Sequence, residues 1–270
     1  RMNAECNKSY DVEKLVKWCF NLDPMSARTI SVTAGKWGDY YVDGLYVCWT
    51  DGHQYAFLMD TLSMAIPLVP LVRYDQRFAK SIGKWMLHAA NNARLFYPDE
   101  LPADNQSCPE LEGNSKQVVA YEGLHSKWGA KEPYADGDAR RLGWAGTDFG
   151  VYGSSHAGVF GGIISRTSDE RILQLDCLKT DFFRDDAFPT YLYYNPYDEE
   201  KEIEINVGEG YKKIYNAISG KFIAYKVKGS AKVKIKGDSP LLLVIVPDGA
   251  KVEIEGGILK ADGIVVDYNA

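Results

Sequence analysis

Between Tyr134 and Ile164 the chain reads Y-A-D-G-D-A-R-R-L-G-W-A-G-T-D-F-G-V-Y-G-S-S-H-A-G-V-F-G-G-I-I. Asp136, Asp138, Arg140, Trp144, Asp148, Tyr152 and His156 sit there among eight glycines. Glycine is costly in entropy and is most useful where backbone turns sharply or approaches a ligand closely. Carboxylates spaced through such a loop could work in pairs. Hydrolysis of a glycosidic bond needs two of them, one protonated as acid and one ionised as base or nucleophile. Asp136, Asp138 and Asp148 are the catalytic candidates on this reading, with Glu122, Asp51 and Arg140 as polar contacts to substrate. Each has a plain alternative: Asp51 before Gly52 reads equally as a helix cap, and Asp136 and Asp138 around Gly137 as turn residues.

A second chemistry uses Tyr152 and His156, four residues apart. A tyrosine and histidine pair can move protons in an elimination, where a neutralised uronate makes its α-proton acidic enough to abstract. His156 also fits the first turn of a helix capped by Ser154 or Ser155. His53 and His125 lie in or beside loops, and His88 reads as structural. Asp136-Gly137-Asp138 supplies too few oxygens for calcium, so no metal is expected. Gly153-Ser154-Ser155-His156 lacks the second glycine of a nucleophile elbow in register. No cofactor is expected.

The chain has 270 residues, a formal net charge of −6 and 13% aromatic residues, including 18 Tyr and 6 Trp. The acidic balance argues against a nucleic-acid partner, which needs a basic footprint. Rings with polar tips suit sugar faces as well as cores. Trp37, Trp49, Trp128 and Trp144 are the candidate stacking faces, with His53 beside Trp49. Five widely spaced cysteines without C-x-x-C are expected to be mostly buried thiols. No secretion signal or membrane-length apolar run is visible, so localisation is left open and no membrane partner is expected.

These residues need elements to position them. Asp11 to Leu22 fits a short amphipathic helix, and Gln54 to Val72 a helix apolar on nearly every face. Gln76 to Phe96 has a clean helical stripe of Phe78, Ile82, Trp85, Met86, Ala89, Ala93 and Phe96, opened by Asp75. After Arg166 short β-rich runs take over, seven between Thr190 and Glu255, separated by Gly, Asn, Pro or Asp. Their alternation predicts a β-sandwich. The expected fold is therefore α+β and multidomain. A helical domain over residues 1–185 carries the aromatic and glycine-rich loops, and an antiparallel β-sandwich follows over 186–270.

Three segments carry a resemblance: W-T-D-G-H-Q-Y-A-F-L-M-D (Trp49 to Asp60), G-D-A-R-R-L-G-W (Gly137 to Trp144) and Y-G-S-S-H-A-G-V-F-G-G-I-I (Tyr152 to Ile164). The sandwich opener Y-L-Y-Y-N-P-Y (Tyr191 to Tyr197) fits beside them. Helix pairs with such loops ahead of a sandwich resemble the (α/α) toroid carbohydrate-active enzymes, six-hairpin glycosidases and toroid polysaccharide lyases. The resemblance implies an oligo- or polysaccharide partner and glycoside hydrolysis, with lyase chemistry or a non-catalytic carbohydrate-binding fragment as alternatives. A complete toroid has about six hairpins and this chain has room for about half, so an upstream domain or partner chain is expected to complete it.

Overall fold

Residues 31–57 are built by alternation and pairing. Along β2 (Tyr40–Thr50), Val42, Leu45 and Val47 are buried while Tyr41 is exposed. The strand pairs with β1 (Ser31–Trp37) through a two-residue connection at Gly38 and Asp39, where Gly38 takes a φ of 58°. Such tight hairpin loops call for positive φ, which glycine supplies without strain. On its other side β2 pairs with β3 (His53–Phe57), and Thr50 at the end of β2 lies opposite His53 at the start of β3. The computed structural model describes residues 2–20, 31–50, 53–111, 120–137, 140, 143 and 146–270.

The expected helical domain is not there. The described residues are 26% helix and 40% strand, in three antiparallel sheets, with no toroid of helical hairpins. The apolar run from Gln54 misled the helical reading for a physical reason. Its first residues form β3, which is hydrogen-bonded on both sides, to β2 and to β4 (Gly123–His125). Tyr55 and Ala56 are both buried. A strand buried on both faces shows no alternation and cannot be told from a buried helix by periodicity. Helix begins only at Leu58, as α3 (Leu58–Ser63), after the short helices α1 (Met2–Glu5) and α2 (Val12–Phe20). α4 (Ala65–Leu71) follows, with Pro70 inside it. The amphipathic stripe did find its helix, α5 (Ala79–Ala93), flanked by 3-10 turns at Gln76–Phe78 and Arg94–Phe96. Ile82, Trp85, Met86 and Ala89 are its buried side, and the Asp75 carboxylate accepts from the Arg77 backbone at its start.

The chain divides into two compact units. The first, Asp11–Ala65 with His88–Phe160, is organised around the five-stranded meander β1-β2-β3-β4-β5, where β5 is Tyr134–Asp136. Gly44, at φ 85°, brings β2 against Ala89, where a Cβ would lie 2.8 Å from the Ala89 nitrogen. Most of α6 (Val151–Ile163) belongs here too. It starts earlier than expected, so Ser154 and Ser155 lie within it and do not cap it. The turn before it is made by Thr147, whose hydroxyl accepts from the Phe149 backbone at 3.0 Å.

The second unit, Arg1–Tyr10 with Ile66–Leu87 and Gly161–Ala270, holds two sheets. The six-stranded one runs β10-β9-β11-β8-β7-β6, with β6 Ile164–Arg166, β7 Leu173–Asp176, β8 Thr190–Asn195, β9 Lys201–Asn216, β10 Lys221–Ile235 and β11 Ser239–Pro247. Two pairs of expected short strands are in fact single long ones. Gly208, Gly210 and Gly229, all at positive φ, act as bulges where turns were expected. They bend β9 and β10 so that Ile203, Ile205, Val233 and Ile235 fold over Tyr193, Leu241, Leu243 and Ile245 in one core. The other face of β11 packs Val244 and Val246 against Leu259, Ala261 and Val266 of the sheet β12 (Val252–Glu255), β13 (Ile258–Ala261) and β14 (Ile264–Asp267). Burial on both faces explains the unbroken L-L-L-V-I-V of β11. This region is sandwich-like, as its alternation predicts.

Within the same unit Gly83 of α5 lies under Tyr194 of β8, and a Cβ there would sit 2.7 Å from the Tyr194 Cβ. In an open helix Gly→Ala gains about 1 kcal/mol. Overpacking against a fixed backbone costs about 1–3 kcal/mol. Because the added Cβ would fall well inside contact distance, the cost outweighs the gain, and we expect Gly83→Ala to destabilise the protein by up to about 2 kcal/mol, read as a lower urea midpoint at unchanged slope. An equal or higher midpoint would contradict the packing.

Candidate functional site

The meander places a hydrogen-bonded pair where β4 and β5 meet. The register sets His125 opposite Tyr134 and Gly123 opposite Asp136, so His125 and Asp136 are diagonal neighbours on one face. His125 Nε2 lies 2.8 Å from Asp136 Oδ1, and both residues are buried. The imidazole stacks on Tyr55 at 4.6 Å between centroids and meets Trp128 at 5.5 Å. Trp128, partly exposed, also stacks on Tyr134.

A second buried carboxylate, Asp148, is held from two sides. Arg140 Nη1 donates to its Oδ2 at 2.8 Å, and the Cys108 thiol donates to the same oxygen at 3.2 Å. Cys108 is fixed in turn. Its backbone N–H donates to the Tyr121 hydroxyl at 3.0 Å, and that hydroxyl donates to Gln106 Oε1 at 3.0 Å. The Gln106 amide nitrogen donates to the carbonyls of Pro98 and Leu101. Burial pushes the Cys108 thiol up to about 11, with Asp148 adding to the shift. Tyr134 is raised by burial first and by Asp136, Asp148 and Cys108 after it.

Asp136, Asp148, Arg140 and Tyr134 line one depression of about 670 Å³, together with Asp104, Gln106 and Ser107. Two glycines make the approach possible. A Cβ on Gly137 would overlap the Asp148 backbone, and one on Gly150 would overlap the Glu122 side chain. Each carboxylate has one oxygen tied, Oδ1 of Asp136 and Oδ2 of Asp148, and the other without a hydrogen bond among the described residues. The arrangement can therefore present two carboxylate oxygens to one ligand.

Other expected site residues fall elsewhere. Glu122 is buried against Gly150 and does not line the depression. Trp37 is 4% exposed, which leaves little of its ring for stacking. His156 is half-buried in α6, near Asp60 of α3; burial lifts the Asp60 carboxyl and the nearby His156 draws it back. Asp51, Asp138 and Trp144, and the side chains of Trp49, His53 and Tyr152, lie outside the described residues. His88 pairs with Asp43 at 2.6 Å. Among the described residues no three His, Cys, Asp or Glu gather as metal ligands, and no helix is long and apolar enough to cross a membrane. Sequence reasoning missed Cys108, Gln106, Tyr121 and Tyr134. The only signal for the His125–Asp136 pair is the β4–β5 register.

No protein-family model matches the chain, and no curated protein matches it. Among solved structures, a Bacillus halodurans C-125 protein provisionally described as an alpha-N-acetylgalactosaminidase shares 13% identity over 37% of this chain, with a TM-score of 0.25. The chain spans 26% of that protein's length. A likeness this slight carries no argument about fold or activity.

The thiol next to Asp148 gives a direct probe of this geometry. Alkylation of Cys108 by iodoacetamide, followed peptide by peptide, should stay slow at pH 8 and climb as pH approaches about 11. Asp148→Asn removes a neighbouring negative charge, so the rise should shift to lower pH. An unshifted profile would mean that the thiol and carboxylate do not meet.

Proposed function

We propose that this chain acts on an oligo- or polysaccharide as a glycoside hydrolase, with Asp136 and Asp148 as the carboxylate pair. The meeting of these two residues on one depression carries the reading. Glycoside hydrolysis divides its work between an acid and a base or nucleophile on opposite sides of the sugar. Asp148, which accepts from Arg140 and Cys108, is given the role of base or nucleophile through its free Oδ1. Asp136 is given the role of acid, with His125 oriented to return its proton. Trp128, partly exposed and stacked on Tyr134, offers a ring face to the sugar.

Lyase chemistry is the weaker fit. It needs a cation to neutralise a uronate carboxylate before the α-proton can leave. Arg140, in the depression, is already paired with Asp148, and Lys131 beside it is paired with Asp104. The remaining described charges lining it are carboxylates.

Reducing-end release from neutral polysaccharides tests the reading. Asp136→Asn and Asp148→Asn should each lower kcat by about 100-fold or more, the usual worth of a positioned acid or base, with far-UV CD unchanged. Trp128→Ala should mainly raise KM. Wild-type turnover in both carboxamide variants would remove the proposal, and an unsaturated product absorbing in the ultraviolet would replace hydrolysis with elimination.

A further inference from the structure

A wider cleft, of about 930 Å³, opens on the sandwich-like unit and does not depend on the carboxylate pair. β6 and β7 supply one side and the glycine corner of β9 and β10 the other. In the sheet order β6 and β9 are separated by three strands, yet the Glu204 backbone N–H donates to the Ser168 hydroxyl at 3.1 Å. The bent sheet therefore closes back on itself around the cleft. Its volume is that of a small-ligand site. At the corner, Gly208 and Gly229 have open space where a Cβ would stand, so the backbone is accessible.

The polar groups lining the cleft have a bias. The Gly208 backbone N–H donates to Asn206 Oδ1 at 2.8 Å. A backbone N–H can only donate, so the amide oxygen is spoken for and the –NH₂ group is left for a ligand. Gln174 is held in the same sense, its Oε1 accepting from the Tyr193 hydroxyl at 2.7 Å. Arg166 and Lys228 line the cleft, are exposed and form no ion pair among the described residues. Four donors are thus uncommitted, two of them cationic. Glu204 and Glu209 flank them and would repel a bare anion, but they can accept from hydroxyls.

We propose that this cleft binds an acidic sugar, a hydroxyl-rich ligand that carries a carboxylate. The Arg166 guanidinium fork suits a carboxylate in two parallel hydrogen bonds. Lys228 adds charge, the two amides donate to ring or hydroxyl oxygens, and the glutamates take hydroxyl protons. Arg140, which lines the depression of the other unit, is committed to a protein carboxylate, whereas these two cations are not.

Titration calorimetry of the intact chain with trigalacturonate, a neutral galactose trisaccharide and sodium sulfate tests the proposal. Trigalacturonate should bind saturably, and the neutral trisaccharide about tenfold more weakly or worse. The double variant Arg166→Gln/Lys228→Gln should lose about tenfold or more in affinity, with an unchanged melting temperature because both side chains are exposed. Asn206→Asp keeps the acceptor for Gly208 and exchanges the donor for a charge, so it too should weaken binding. The proposal is overturned by no binding, by equal affinity for the neutral trisaccharide, by sulfate binding as tightly as the sugar, or by undiminished affinity in the double variant.

Discussion

A carboxylate taken out of water must be given hydrogen-bond donors or it destabilises the fold that buried it. The first unit obeys this constraint at two places, and most of its local architecture follows. Asp136 takes His125 from the neighbouring strand. Asp148 takes a guanidinium from one side and a thiol from the other. The thiol is an unusual donor, and it is usable because Tyr121 and Gln106 hold the Cys108 backbone in place. Each donor satisfies one oxygen and leaves its partner oxygen for something else. The proposed site rests on that division, since a core carboxylate needs only to be satisfied.

Close approach is the second requirement. The strand end at Asp136 runs straight into Gly137, which has no Cβ to hold the Asp148 backbone away. Gly123, opposite Asp136, likewise leaves room for the Tyr55 ring that supports His125. In the second unit the same residue type does different work. Gly208, Gly210 and Gly229 bend two long strands, and the bend makes both a core and a cleft.

The sequence was legible where one physical pattern dominates. The stripe of α5 is a surface helix with one buried side, and 3.6-residue spacing announces it. The alternation of Lys232 to Lys236 around Val233 and Ile235 announces a half-buried strand in the same way. Legibility failed where burial covers both faces. Tyr55 and Ala56 in β3 show continuous apolarity, which a buried helix shows equally. It failed again where glycine has two uses, since Gly208 and Gly229 look like turn residues until the strands are seen to continue through them. Within the site, Asp136, Asp148 and Arg140 stood out by type and by their glycine-rich setting. The thiol of Cys108, 40 residues before Asp148, had no local mark, because its partner is chosen by tertiary packing.

On the proposed function Asp136 and Asp148 address the same sugar. A crystal structure of the Asp148→Asn variant soaked with a neutral oligosaccharide measures this most directly. A sugar ring should then lie in the depression, within hydrogen-bond distance of Asp136 Oδ2 and of the side chain at 148, with Trp128 against one face. A sugar seated elsewhere, or an empty depression at saturating oligosaccharide, would contradict it.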